Sequence, residues 1–182
     1  MNSRIEEFRT GIFELRTRRF GKVAELLIKK KYNMRESTSN AYDLVISETG
    51  EKVEVKFSTV MRAHTESINE ENLIDQCIKA NISNRALTFD ELTVEKFDCN
   101  IQQVKRKEFD ILYYGMFLLD KIAVFKVRTD HIFSTLGYSD FQHRGNEGEG
   151  QFHINNQTLD YHLNNNFVTF ITYEEMYMMF SE

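Results

Sequence analysis

The chain has 182 residues, 41% of them hydrophobic, a size and composition that suit one globular domain with its own core. It has no proline, where about nine would be usual at this length, which excludes polyproline linkers and Pro-rich recognition tails. Two cysteines, Cys77 and Cys99, exclude a disulfide framework, and a formal net charge of −5 taken whole argues against an anionic partner. No stretch reaches 18 apolar residues, so the expectation is a cytoplasmic protein with no membrane partner.

Taken in chain order, Ile5, Phe8, Ile12, Phe13, Phe20, Ala24, Leu27 and Ile28 recur at three- and four-residue intervals. This spacing predicts one long amphipathic helix, or two broken near Gly11 or Gly21, ending in Lys29, Lys30 and Lys31, where positive charge complements the helix dipole. From Ala41 the period becomes two. Tyr42, Leu44 and Ile46, then Val53, Val55 and Phe57, predict a hairpin around Thr49-Gly50. A helix is expected over Asn69 to Ala80 with Leu73, Cys77 and Ile78 on its apolar side, which accounts for Cys77 by packing. Ile111 to Leu119 and Ile122 to Val127 read as central strands joined at Asp120-Lys121, with Tyr113, Tyr114 and Phe117 as core. A short helix over Thr129 to Leu136, a polar loop to Gln151, a helix near Leu159 to Leu163, a strand at Phe167 to Thr172 and a helix from Tyr173 complete the chain. The predicted fold class is α/β, a mixed central β-sheet flanked by helices, as a single domain over 1–182.

With the turn at Thr49-Gly50, Val45 faces Glu54 and Asp43 faces Lys56, so Asp43, Glu54 and Lys56 share one face. The two carboxylates then lie on a diagonal with α-carbons about 7–8 Å apart, within reach of one ion. Oxygen ligands select a hard cation such as Mg²⁺, whose bound water becomes a nucleophile. Lys56 orients that water or offsets charge developing in the transition state. The competing reading is a solvated cross-strand salt-bridge face worth under about 1 kcal/mol. Against it, Asp43 is a poor strand former between Tyr42 and Leu44, and Glu25 borders the apolar stripe of the preceding helix.

Glu25, Asp43 and Glu54-Val55-Lys56, with the segment RRFGKVAELL from Arg18 to Leu27, resemble the PD-(D/E)XK nuclease superfamily, the fold of most type II restriction endonucleases and of several repair and resolvase nucleases. The resemblance covers about Arg18 to Ser58 and departs at Tyr42, where the family's motif has a proline that is itself often absent. It implies a restriction-endonuclease-like core over about 18–128 and a C-terminal part over 129–182 carrying a candidate recognition loop. It further implies that Asp43, Glu54 and the Val55 carbonyl bind Mg²⁺, that Lys56 positions the attacking water, and that Glu25 assists through a second metal or its water shell.

Charge is divided unevenly: the first 35 residues carry ten Lys or Arg against four Glu, and the remainder is acidic. Arg18, Arg19 and Lys22, with Lys105 and Arg106, are candidate phosphate contacts. Gln142, Arg144 and Asn146 are candidate base readers, since Arg suits guanine and Asn or Gln suits adenine. His143, His153 and His162 lack zinc-ligand spacing and read as surface or structural residues. The resulting expectation is a Mg²⁺-dependent, sequence-specific endonuclease of double-stranded DNA that leaves 5′-phosphates, acting as a homodimer on a palindromic site. The acidic remainder with its amide-rich loop suits a restriction enzyme better than a uniformly basic junction clamp. The alternatives are a repair or junction-resolving nuclease of the same fold, and a non-catalytic DNA-binding or interaction module.

Overall fold

A computed structural model describes residues 3–62, 66–141 and 148–181. Helices α1 (Ser3–Phe13) and α2 (Thr17–Lys31) precede three strands, β1 (Arg35–Glu36), β2 (Leu44–Val45) and β3 (Lys52–Thr59). Helices α3 (Leu73–Lys79) and α4 (Ile82–Arg85) follow, then β4 (Asp98–Val104), β5 (Ile111–Phe117), β6 (Lys121–Arg128), β7 (Gly150–Asn155), α5 (Leu159–Asn165), β8 (Phe167–Thr172) and α6 (Tyr173–Ser181). The six-stranded sheet runs β1-β2-β3-β5-β6-β8, with β3 parallel to β5 and the other neighbours antiparallel. Strands β4 and β7 form a separate antiparallel ribbon. The class is therefore mixed α/β, with a mixed sheet flanked by helices.

Each face of the large sheet closes a different apolar cluster. On one face Phe20, Ala24, Leu27 and Ile28 of α2 meet Leu44, Val53, Val55, Tyr113 and Phe117, with α1 and α6 alongside. On the other, Leu112, Tyr114, Met116 and Phe125 meet Cys99 and Ile101 of β4 and Phe152 and Ile154 of β7. β5 is buried at every position, as a central strand covered on both sides must be. Gly115 sits in it because its register partner Phe57 lies across it: a Cβ there would stand 2.4 Å from Phe57 Cε1 and 2.1 Å from the Ala123 carbonyl.

The sheet corrects several sequence expectations. The break between α1 and α2 falls at Glu14 to Arg16, not at a glycine, and Gly11 and Gly21 both lie inside helices. Arg16 takes an extended backbone there, and the two helices part to reach different neighbours, α1 against α6 and α2 over β3. The face of α3 expected to be core is exposed: Leu73, Cys77 and Ile78 face outward, as does the neighbouring Ile74, while Gln76 is buried and donates to Glu66 at 2.7 Å. Periodicity identifies a stripe without saying which side has a neighbour. The ribbon β4–β7 occupies part of what reads as a mixed region and polar loop. The strand at Phe167–Thr172, the β5–β6 pair and the buried Tyr113, Tyr114 and Phe117 agree with the sequence reading. Among the described residues no helix is long and apolar enough to cross a membrane.

Candidate active site

The hairpin of β2 and β3 differs in register from the expectation by two residues. Leu44 pairs with Val53 and Val45 with Lys52, around a four-residue loop, Ser47 to Gly50. Ile46 N–H donates to the Glu51 carbonyl at 3.0 Å and Gly50 N–H to the Ile46 carbonyl at 2.8 Å. Gly50 closes the loop at φ +75°, a left-handed conformation that glycine adopts without steric cost. Because the side-chain period of a strand is two, a slip of two leaves every residue on its face. It places Asp43 level with Glu54 instead of on a diagonal, one residue past the last rung of the ladder.

Asp43 ends β2 with its own side chain. Its N–H donates to the Val53 carbonyl at 3.0 Å, and its Oδ2 accepts the Val55 N–H at 2.9 Å, the bond a further β2 residue would otherwise make. In a strand a residue's N–H and C=O leave by the same edge, so the Val55 carbonyl points past the end of β2, beside the Asp43 carboxylate. Glu54 is buried, 8% exposed, and its Oε1 accepts from Lys56 Nζ. Burial, with Asp43 beside it, pushes the Glu54 carboxyl up to about 7 against the opposing pull of the Lys56 ammonium. Glu54 and Lys56 face the same side as their register partners Leu112 and Tyr114, the side covered by the β4–β7 ribbon.

Glu25 takes part differently. A cleft of about 310 Å³ lies between α2 and the 36–43 segment, with Glu25, Glu36, Tyr42 and Asp43 on its walls. Lys22 Nζ holds Glu25 at 3.0 Å and Glu36 at 3.5 Å, and Lys29 adds a second bond to Glu36 at 3.3 Å. These ammonium groups hold the Glu36 carboxyl below its ordinary range, Lys29 most strongly. Asp43 thus joins the two parts of the site: its carboxylate holds the Val55 N–H beside Glu54, and the residue also lines the Glu25 cleft. Tyr42, expected on the apolar face with Leu44, instead borders this cleft and the ribbon-side core, because the strand has ended before it. Glu36, Ser37 and Ser39 are cleft residues that sequence reasoning left in a helix-terminating stretch.

Among the described residues no three His, Cys, Asp or Glu side chains converge as a metal-holding group. The oxygen set on offer is the Asp43 and Glu54 carboxylates, each with an oxygen outside the bonds just given, and the Val55 carbonyl. Its chemistry fits a hard cation that keeps several of its waters.

The candidate phosphate contacts divide. Arg18 and Arg19 are exposed on α2. Lys22 is engaged with Glu25 and Glu36, and Lys105 lies 3.8 Å from Glu149. Arg106 grips Asp140 through two parallel bonds of 2.9 Å and lies 4.3 Å over the Phe133 ring, so its fork is spent within the fold. Gln142, Arg144, Asn146 and His143 lie outside the described residues. His153 pairs with Asp98 at 2.9 Å. His162 is fully buried, with Nδ1 2.8 Å from the Tyr114 hydroxyl, and burial lowers its pKa to about 4.

Comparison of the chain with protein-family models, with curated proteins and with solved structures gives no match.

Proposed function

We propose that the protein is a Mg²⁺-dependent endonuclease of double-stranded DNA, of the PD-(D/E)XK kind, cutting at a specific site and leaving 5′-phosphates as a type II restriction enzyme does. One observation carries this reading: the end of β2 brings the Asp43 carboxylate, the buried Glu54 carboxylate, the edge of Val55 and the Lys56 ammonium to one place. Such a group is costly to assemble as decoration, since burying a carboxylate beside another disfavours its ionised form.

Asp43, Glu54 and the Val55 carbonyl would hold Mg²⁺, which supplies an activated water and offsets charge on a phosphoryl oxygen. The chain's own groups do the remainder. Asp43 is fixed by the Val55 N–H, so its second oxygen is held in place without further ordering cost. Lys56, anchored by Glu54, presents a positive charge to the attacking water or the developing phosphorane charge. Glu25, held by Lys22, lines the neighbouring cleft that Asp43 borders, where it would act on the water around the ion. A homodimer would place two such sites on a palindromic duplex, one per strand.

A second reading, a non-catalytic DNA-binding or interaction module, draws support from the absence of a three-group metal cluster among the described residues and from the ion pairs that occupy Lys22 and Arg106. Incubating the protein with plasmid DNA in Mg²⁺ and in EDTA separates the two. Cutting in Mg²⁺ alone, with fixed 5′-phosphate ends on sequencing, supports the nuclease; salt-sensitive binding without cutting supports the module.

A further inference from the structure

We infer that α3 and the turn before it form the two-fold interface through which two copies of this chain dimerise. The inference goes beyond the nuclease reading, which calls for a homodimer without placing its contact. Ile68, Leu73, Ile74 and Ile78 are 63, 50, 77 and 62% exposed, and Cys77 lies exposed among them. Periodicity marks this stripe as core, yet Gln76 is the buried residue of α3, and within one chain the apolar side is left to solvent. That orientation is built in. Gln76 donates to Glu66 on the inner side, Asn72 Nδ2 donates to the Ser67 carbonyl at 3.1 Å while its Oδ1 accepts the Asn69 N–H at 2.8 Å, and Asn84 Nδ2 donates to the Ile78 carbonyl at 3.1 Å. Both ends of the helix are thus tied down, and docking needs little further ordering.

Area and charge identify the occupant as a second copy. At roughly 180 Å² for a fully exposed Ile or Leu residue, the four fractions together with Cys77 amount to about 500 Å², a patch of the size that marks an interaction site on a soluble chain. A standard interface covers about 800 Å² on each partner, and in homodimers about 65% of it is apolar, or about 520 Å². The patch therefore supplies the apolar share of one such interface. Ile74 and Ile78 stand one turn apart, so a two-fold axis crossing α3 level with Gln76 lays Ile74 on the partner's Ile78 and Ile78 on the partner's Ile74. A row of two like side chains is its own complement. The charges permit this contact: Asp75 and Lys79 pair within the helix at 2.6 Å, and Glu70 and Glu71 fall towards the far end of the partner helix, away from their own copies. DNA gains nothing from this face, whose one cation, Lys79, is already paired. With helix axes about 8–10 Å apart, Cys77 of each copy lies on the same flank of the contact.

Sedimentation equilibrium of the full chain, without DNA, tests this. At about 50 μM the mass should be twice 21.6 kDa. Ile74→Glu and Ile78→Glu bury an unpaired carboxylate in the contact and should each raise the dissociation constant at least about 100-fold. Both positions are open to solvent in a single chain, so the circular dichroism of the separated variants should match that of the wild type. A short bis-maleimide gives a second measurement on the unaltered chain. Cys99 is buried, so the reagent should join Cys77 to the partner's Cys77 in the wild type and leave Cys77→Ser and Ile74→Glu as single chains. A wild-type chain of 21.6 kDa at that concentration overturns the inference, as does a dimer that the reagent leaves unjoined at Cys77 or that both Glu variants leave intact. The nuclease reading is scored separately on plasmid: a dimer that leaves it uncut keeps the interface and sinks that reading, while a monomeric wild-type chain that cuts does the reverse.

Discussion

Lowering the pH from 7 to 5 exposes an energetic consequence of burying His162. The ring is fully enclosed between Phe152, Tyr161 and the Tyr114 ring, and its pKa falls to about 4 from an ordinary 6.5. Asn166 donates to the Tyr114 hydroxyl at 2.8 Å, which leaves that hydroxyl to donate to His162 Nδ1. The neutral ring is thus the form the fold requires. Below pH 6.5 the unfolded chain takes up a proton that the folded chain refuses, so the stabilisation present above 6.5 is lost progressively as the pH falls towards 4. Linkage over that interval amounts to about 2 kcal/mol by pH 5 and about 3 kcal/mol by pH 4. Glu54 acts with the opposite sign. Its folded pKa lies above the unfolded value, so it favours folding below that range and withdraws the contribution as the pH rises through about 7. The two opposing titrations therefore flatten the wild-type profile. Urea unfolding of Glu54→Gln at pH 7, 6 and 5 removes the compensation and should show a loss of about 2 kcal/mol. The double variant Glu54→Gln/His162→Gln should lose most of that slope. Carboxylates held low by ion pairs, such as Glu36 and Asp140, stay ionised throughout this window and do not contribute to it. A flat Glu54→Gln profile, or an equal slope in the double variant, refutes the assignment to His162.

Two further outcomes follow from the packing and the charges. Gly115→Ala drives a methyl into the Ala123 carbonyl and the Phe57 ring, and should cost at least about 2 kcal/mol in urea unfolding, with Phe57→Leu on the Gly115→Ala background recovering part of it. Arg18→Ala and Arg19→Ala should each reduce the slope of log affinity against log salt for duplex DNA by about 1, whereas Arg106→Ala, whose guanidinium is committed to Asp140, should leave that slope unchanged and raise amide exchange over 138–141.

Where the sequence carried a strong period, it told the fold. The strand at Phe167–Thr172 has the bounds its apolar run implies, and the β5–β6 pair is legible from two-sided hydrophobicity. The β4–β7 ribbon alternates too, Cys99 and Ile101 against Phe152 and Ile154, but a bulge interrupts β4 at Gln102 and Gln103 and the outward residues are Asp98, amides and a histidine, so the pattern is weak in the sequence. The face shared by Asp43, Glu54 and Lys56 was legible because parity survives a slip of two. Their register was not, since Thr49-Gly50 reads as a two-residue turn while the chain uses Ser47 to Gly50. Nor was the bond from Val55 N–H to Asp43, which depends on β2 stopping short. Arg106 read as a phosphate contact for want of any sign that Asp140, thirty-four positions on, would meet it.

Cleavage of supercoiled plasmid by Asp43→Asn tests the central claim most directly. The amide oxygen retains an acceptor for the Val55 N–H, so the hairpin keeps its bond and only the negative charge is removed. The wild-type chain should cut in Mg²⁺ and fall silent in EDTA, and Asp43→Asn, folded to the same melting temperature, should cut at least about 100-fold more slowly. Cutting by Asp43→Asn at the wild-type rate, or a wild-type chain that leaves every plasmid intact in Mg²⁺, would contradict it.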